Sequence, residues 1–161
     1  MGLSVDSDPL DPAELSLLNG TRVAHLATIA ARGEPHLVPV CFALVGGLFF
    51  VPIDEKPKRG GTLARVRDIQ RDPRATLLFD HYDEDWTQLA WLRFDCEARL
   101  IESGHQRPDA LSALRGRYLQ YREMALEQRP LIELTPFRRS GWRWATATTS
   151  DRPGRSTTPE P

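Results

Sequence analysis

Apolar positions along the chain change their spacing several times, and the changes mark out elements. The first ordered piece predicted is a helix from Pro12 to Leu18. Asp11 can accept from its free N–H groups, Pro12 suits the first helical position, and Glu14 completes a capping-box pattern. Asn19-Gly20 ends it. Strand signals follow quickly. Arg22 to Ile29 is rich in apolar and β-branched residues, and Ala30-Ala31-Arg32-Gly33-Glu34 reads as a turn. His36 to Val45 reads as a second strand, Gly46-Gly47 as a tight turn and Leu48 to Ile53 as a third strand. Connections this short predict antiparallel neighbours. Val38, Val40 and Phe42 would share one face, and Leu37, Pro39 and Cys41 the other. Both faces are therefore apolar, so one should line a core and the other be covered by a helix or a second subunit.

Helical spacing returns from Thr62 to Gln70, with Leu63, Val66 and Ile69 at core positions. Asp72-Pro73 breaks it. Arg74 to Asp80 is a fourth strand, and Leu89 to Ile101 is long enough to bend or carry a bulge. Pro108 to Arg122 reads as an amphipathic helix with a stripe of Leu111, Leu114, Tyr118 and Leu119. Leu131 to Phe137 and Trp142-Arg143-Trp144 are the last strands. The expected architecture is mainly β (α+β): an antiparallel six-stranded split β-barrel with flanking helices. Residues 1–10 are expected to be a flexible N-terminus, 11–145 one cofactor-binding domain and 146–161 a disordered tail, since apolar residues nearly vanish after Ala145.

Composition removes several function classes. The 161 residues carry a net charge of −1, which gives no general attraction to nucleic acid. No apolar run approaches the ~20 residues of a membrane helix. The acidic start has no apolar core, so it does not read as a signal peptide, and a cytoplasmic protein is expected. Cys41 and Cys96 lack metal-ligand spacing and read as buried free thiols, and no metal is expected. There is no HExxH, Walker loop, GxGxxG or Ser/His/Asp motif context.

The basic residues are unevenly chosen. Of 21, 19 are arginine, and the two lysines fall in Lys56-Pro57-Lys58-Arg59-Gly60-Gly61-Thr62. That segment runs from a strand to a helix start. Lysine ammonium groups and free helix N–H groups there suit phosphate oxygens. The plainer reading is a solvated loop in which Asp54 and Glu55 neutralise the lysines.

Several stretches together resemble the flavin-binding split-barrel proteins of the pyridoxamine 5′-phosphate oxidase class. They are Val23-Ala24-His25-Leu26-Ala27-Thr28, Gly33-Glu34-Pro35-His36-Leu37-Val38-Pro39-Val40-Cys41-Phe42, Asp54-Glu55-Lys56-Pro57-Lys58-Arg59, Asp80-His81-Tyr82-Asp83-Glu84-Asp85-Trp86 and Arg117-Tyr118-Leu119-Gln120-Tyr121-Arg122. The branch they resemble most uses the deazaflavin coenzyme F420. The resemblance implies a homodimeric oxidoreductase with a cofactor in each cleft between subunits and a small organic molecule as substrate. It implies Lys56, Lys58, Arg59 and Thr62 at the cofactor phosphate. It places His36, Val38, Pro39, Val51, Pro52 and Ile53 beside the ring system. The partner subunit would contribute Asp80-His81-Tyr82 or Trp142-Arg143-Trp144. His36, His81 and Tyr82 are the candidates for supplying a proton, although His36 on a strand also reads as a structural histidine. FMN carries a phosphate too, and the residues do not separate it from F420. A protein that binds flavin or haem without turnover is the alternative.

Overall fold

The computed structural model describes residues 8–53 and 63–144. Lys56, Lys58, Arg59 and Thr62 therefore lie outside the described residues, as do residues 1–7 and the tail from Ala145. The elements in chain order are α1 (Pro12–Gly20), β1 (Ala24–Ile29), β2 (Pro35–Val40), β3 (Ala43–Val45), β4 (Leu48–Pro52), α2 (Ala64–Arg71), β5 (Arg74–His81), β6 (Ala90–Ile101), α3 (Arg107–Arg117) and β7 (Leu131–Arg143). Short 3₁₀ turns occupy Trp86–Gln88, Leu119–Arg122 and Leu126–Gln128. α1 starts as the sequence specifies: Asp11 accepts from Ala13 and Glu14 N–H, and Glu14 reaches back to the Asp11 N–H.

All seven strands form one antiparallel sheet in the order β2-β1-β5-β6-β7-β4-β3. The two edge strands, β2 and β3, are joined by Cys41 and Phe42 alone. Three Cα–Cα steps reach at most about 11 Å. The sheet must curl until its edges meet, and it forms a half-barrel. The hairpin between β3 and β4 turns at Gly46 and Gly47, with φ of 58° and 80°. Two successive positive φ values give a turn whose twist matches the strands it joins.

Two expectations need correction. Among the described residues the sheet has seven strands rather than six, and the run His36 to Val45 is two of them. The run is apolar throughout, so periodicity gives no sign of the corner. The corner is fixed instead by a remote side chain. The Tyr118 hydroxyl accepts from the Phe42 N–H at 3.1 Å and donates to the Arg22 carbonyl at 2.9 Å. Second, Leu131 to Phe137 and Trp142 to Trp144 belong to one strand, β7. The residues between them look polar, but each pairs with β6. Arg138, opposite Asp95, binds its carboxylate at 2.6 Å. Cys96 faces Pro136 while Asp95 faces Arg138, so Phe137 is the extra residue of a bulge on β7. The bulge predicted for the β6 region is thus carried by its partner.

Helix α3 ends at Arg117, short of the predicted Arg122, because Tyr118 turns to extended backbone to reach its partners. Leu119 then leaves the apolar stripe and is 65% exposed.

The core has two parts. Inside the half-barrel, Phe42, Phe49, Phe79 and Phe94 pack at tilted or edge-on angles, with Phe42–Phe79 and Phe49–Phe94 centroids 4.8 Å apart. Leu26, Leu77, Leu92, Ile132 and Leu134 surround them. Outside it, Phe50 and Leu131 pack beneath Leu111, Leu114, Tyr118 and Tyr121. Helix α3 therefore covers the outer face of β3 and β4, so the expected cover is present for the end of the run His36 to Val45. It does not reach β2, where Leu37 is 62% exposed. The irregular stretch after α3 is tied down by Arg107, a buried guanidinium donating to the carbonyls of Ile101, Leu126, Glu127 and Arg129. Cys96 is fully buried, and burial, with Asp95 beside it, pushes its thiol up to about 12; Cys41 is only half-buried.

Tyr118→Phe leaves the Phe42 N–H and the Arg22 carbonyl without their partner. We expect a loss of about 1–3 kcal/mol in urea unfolding, against no measurable change for Tyr82→Phe at an exposed position.

Candidate functional site

β4 runs inward to Ile53, where the 54–62 segment departs, and the chain returns to the described residues at Leu63 just before α2. Both ends of that segment are anchored: Ile53 belongs to the core cluster and Leu63 packs against it. Val51, Pro52 and Ile53 are themselves buried, Val51 and Ile53 in the barrel core. What they can offer a ligand is backbone. Val38 is half-buried against the same core, while Pro39 is exposed on the opposite face of β2.

His36 is the predicted residue with the most definite surroundings. It lies directly across from Thr28 in the β1–β2 pairing. Both point at Asp68 of α2, which is 5% exposed. Asp68 Oδ2 accepts from Thr28 Oγ1 at 2.9 Å and contacts His36 Nδ1 at 2.9 Å; Oδ1 accepts from Arg71 Nη2 at 3.0 Å. Burial alone would raise the carboxyl's pKa. Hydrogen bonds from His36, Thr28 and Arg71 outweigh it and hold the group below its ordinary 3.8. Sequence reasoning missed Asp68. The available signal was a carboxylate between Val66 and Ile69, the two residues that place this side of α2 in the core.

The segments Asp80-His81-Tyr82 and Trp142-Arg143-Trp144, taken from the sequence as alternatives, are neighbours. Asp80 pairs with Trp91 and Trp91 with Trp142; His81 pairs with Ala90 and Ala90 with Arg143. With α1 they line a cavity of about 710 Å³, whose polar groups include Arg22, Asp80, His81, Gln88 and Arg143. Tyr82 is 65% exposed and does not line it. The acids after it build their own loop. Asp83 accepts from the Asp85 N–H, and Asp85 accepts from the N–H and hydroxyl of Thr87, bonds that lower its pKa. Among the described residues no three His, Cys, Asp or Glu side chains converge on a metal position.

A third feature was not anticipated. The outer face of β2-β1-β5-β6-β7 carries a transverse row of Pro39, His25, Leu78, Arg93 and Ser140. Three atoms in it, His25 Nδ1, Arg93 Nε and Ser140 Oγ, are buried with no hydrogen-bond partner. The nearest acids, Asp80 at 3.5 Å from His25 and Asp95 at 3.7 Å from Arg93, are at ion-pair range only. Trp91 and Trp142 stand beside the row, 36% and 47% exposed.

Comparison with known proteins agrees with this architecture. The family described as pyridoxamine 5′-phosphate oxidase matches residues 10–143. No curated protein sequence matches. Among solved structures, Rv2991 from Mycobacterium tuberculosis is similar with a TM-score of 0.68 at 20% identity, covering 94% of this chain and 98% of that one. HutZ, the heme storage protein from Vibrio cholerae, gives 0.63 at 16% identity over 84% and 95% of the two chains. A FAD-binding protein from Mesorhizobium loti gives 0.59 at 19% identity over 82% and 94%. These likenesses are likenesses of fold.

The Asp68 network has a pH signature. A carboxyl whose folded pKa is depressed contributes stability that is complete above its unfolded value and is lost as pH falls through the folded one. Asp68→Asn should therefore melt below wild type at neutral pH, and the gap should close as the pH drops below about 4. Circular-dichroism melts across that range check this; a constant gap would mean that the carboxylate's charge contributes nothing.

Proposed function

The chain belongs to the pyridoxamine 5′-phosphate oxidase family, and from that premise we infer an oxidoreductase that uses coenzyme F420. It would pass a hydride to or from a small organic substrate, as a cytoplasmic homodimer with the cofactor between subunits. The observation that carries the reading is where the family-like segments meet. Thr28 and His36, from the β1 and β2 motifs, converge on Asp68 of the helix that directly follows the lysine segment. The cofactor-side motifs are thus neighbours across the β1–β2–α2 junction. Exposed Leu37 and Pro39 at the β2 edge offer apolar surface of the kind a ring system needs.

The donor set fits a phosphate-bearing cofactor. Lys56, Lys58, Arg59 and Thr62 would hold the phosphate by charge-assisted hydrogen bonds. Val38, Pro39 and the backbone of Val51–Ile53 would bound the ring. The bound cofactor supplies hydride chemistry; the protein orients it and controls access to it. Arg59 adds charge suited to the longer acidic tail of the deazaflavin; the choice of F420 over FMN rests on the family resemblance of the segments, since the lysines would serve either cofactor. The solved relatives named for haem and FAD make a binding protein without turnover the competing reading.

The homodimer reading rests on the outer sheet face. Three buried polar atoms there lack partners among the described residues, beside two half-exposed tryptophans. A second copy would cover them. Leu78→Glu, at the middle of that row, should shift the protein to a monomer in sedimentation velocity while the circular dichroism stays folded. An unchanged mass would place any dimer elsewhere.

Cofactor identity is tested by fluorescence and absorbance titrations with F420, FMN and haem. F420 should bind most tightly. Lys56→Ala/Lys58→Ala should cost about 1.5–3 kcal/mol, roughly ten- to hundredfold in Kd. Oxidation of reduced F420 by an added acceptor marks an enzyme. Binding without turnover marks a storage or sensing protein, and unchanged affinity in the double variant removes the lysines from the site.

A further inference from the structure

The Asp68 carboxylate receives hydrogen bonds from Thr28 and Arg71 and is ionised at neutral pH, because its pKa is lowered despite burial. An ionised carboxylate can only accept. The His36 nitrogen that faces it at 2.9 Å, Nδ1, must therefore carry the hydrogen. In the neutral ring this leaves the lone pair on Nε2. Among the described residues no hydrogen bond uses Nε2. The ring is partly open, with 31% of its side chain exposed, and it lines a cleft of about 400 Å³ between the β1–β2 turn and α2. Glu34, Arg67 and Arg71 line the same cleft, so among the described residues the charged groups lining it with the ring are two arginines, one glutamate and Asp68 itself. The ring cannot rotate without breaking its bond to a buried acid. The arrangement resembles a proton-transfer pair more than a hydrogen bond that merely satisfies a histidine, because one nitrogen is fixed on a buried acid and the other has no hydrogen-bond partner among the described residues, on a ring that is partly exposed in a cleft.

We propose that His36 and Asp68 are a proton-transfer pair: Asp68 is the positioning residue, and His36 Nε2 exchanges a proton with an O–H or N–H group of a ligand bound in this cleft. In the forward step the ligand's O–H or N–H bond breaks, its electron pair stays on the ligand, and the proton bonds to Nε2. The imidazolium that forms faces the Asp68 carboxylate. The reverse step returns the proton to the ligand's oxygen or nitrogen, as to an alkoxide left by hydride transfer to a carbonyl carbon, and restores the neutral ring. The identity of the ligand rests on the oxidoreductase reading, in which hydride transfer to an unsaturated carbon must be completed by a proton. The ring state does not depend on that reading.

The test is nitrogen NMR of the full chain labelled at histidine, without cofactor and then with F420 or FMN added. In its neutral form the His36 ring should show a protonated Nδ1 and an unprotonated Nε2. Asp68→Asn should lose that preference, and Asp68→Glu should restore it in part if the asparagine variant folds poorly. A wild-type ring protonated at Nε2, or the same pattern in Asp68→Asn, overturns the proposal. With F420 bound, the Nε2 resonance should move. His36→Gln should lower turnover by a much larger factor than it weakens F420 binding, and the histidine limb of the pH–rate profile should disappear. F420 binding and turnover that are indifferent to His36→Gln overturn the proposal and leave the cofactor reading standing. If neither cofactor binds while the ring shows the expected state, the cofactor reading falls and the pair is retained.

Discussion

Everything about this sheet follows from the shortness of one connection. Cys41 and Phe42 alone join the first edge strand to the last, so the edges of a seven-stranded sheet are forced together. A flat sheet of seven strands would hold its edges about 28 Å apart. Curling brings four phenylalanines from four different segments into one interior. It also turns the outward face of β2-β1-β5-β6-β7 into a single convex surface. The corner itself lacks a strand partner for the Phe42 N–H, and the Tyr118 hydroxyl supplies one. The same hydroxyl holds the Arg22 carbonyl, and the guanidinium of Arg117 lies over the Phe42 ring at 4.6 Å. The end of α3 thus fixes the corner, the start of β1 and, through Arg117 to the Leu18 carbonyl, the end of α1.

Local signals were legible where local physics decides. The capping box of α1, the Gly46-Gly47 turn and the burial of Val66 and Ile69 each depend on residues a few positions apart. The corner at Cys41–Phe42 was not legible, because a continuous apolar run has no punctuation and its partner lies 76 residues away. The strand through Arg138-Arg139-Ser140-Gly141 was hidden for the same reason: its extended form comes from β6, opposite it. In the candidate site, His36 was visible by its motif and Asp68 was not. Nothing near Asp68 in the chain says that Thr28 and His36 will converge on it. The segment chosen on charge alone, with Lys56 and Lys58, falls outside the described residues, so geometry adds only that both of its ends are anchored in the core.

The chemistry is divided across the molecule. A buried, ionised carboxylate lies at the β1–β2–α2 junction, where its hydrogen bonds stabilise the fold and orient one imidazole. At the far ends of β5 and β7, a larger polar cavity gathers Arg22, His81 and Arg143. Around the middle of the convex face, polar atoms are buried without partners.

The bulge at Phe137 also constrains how this sequence can change. Up to Leu134 the even-numbered residues of β7 face the barrel; beyond the bulge the odd-numbered ones do, with Gly141 so close to Leu92 that a Cβ would lie 2.9 Å from its Cδ1. The extra residue works as a parity bit. Deleting Phe137 or Arg138 would remove the bulge and leave a regular strand, whereas a one-residue change elsewhere in the strand, with the bulge kept, would exchange inside and outside along part of it and could carry a side chain into the space kept for glycine. Length variation in this family should therefore gather in the turns and in the segment between β4 and α2, and the strand that closes the half-barrel should keep its count even where its residues drift.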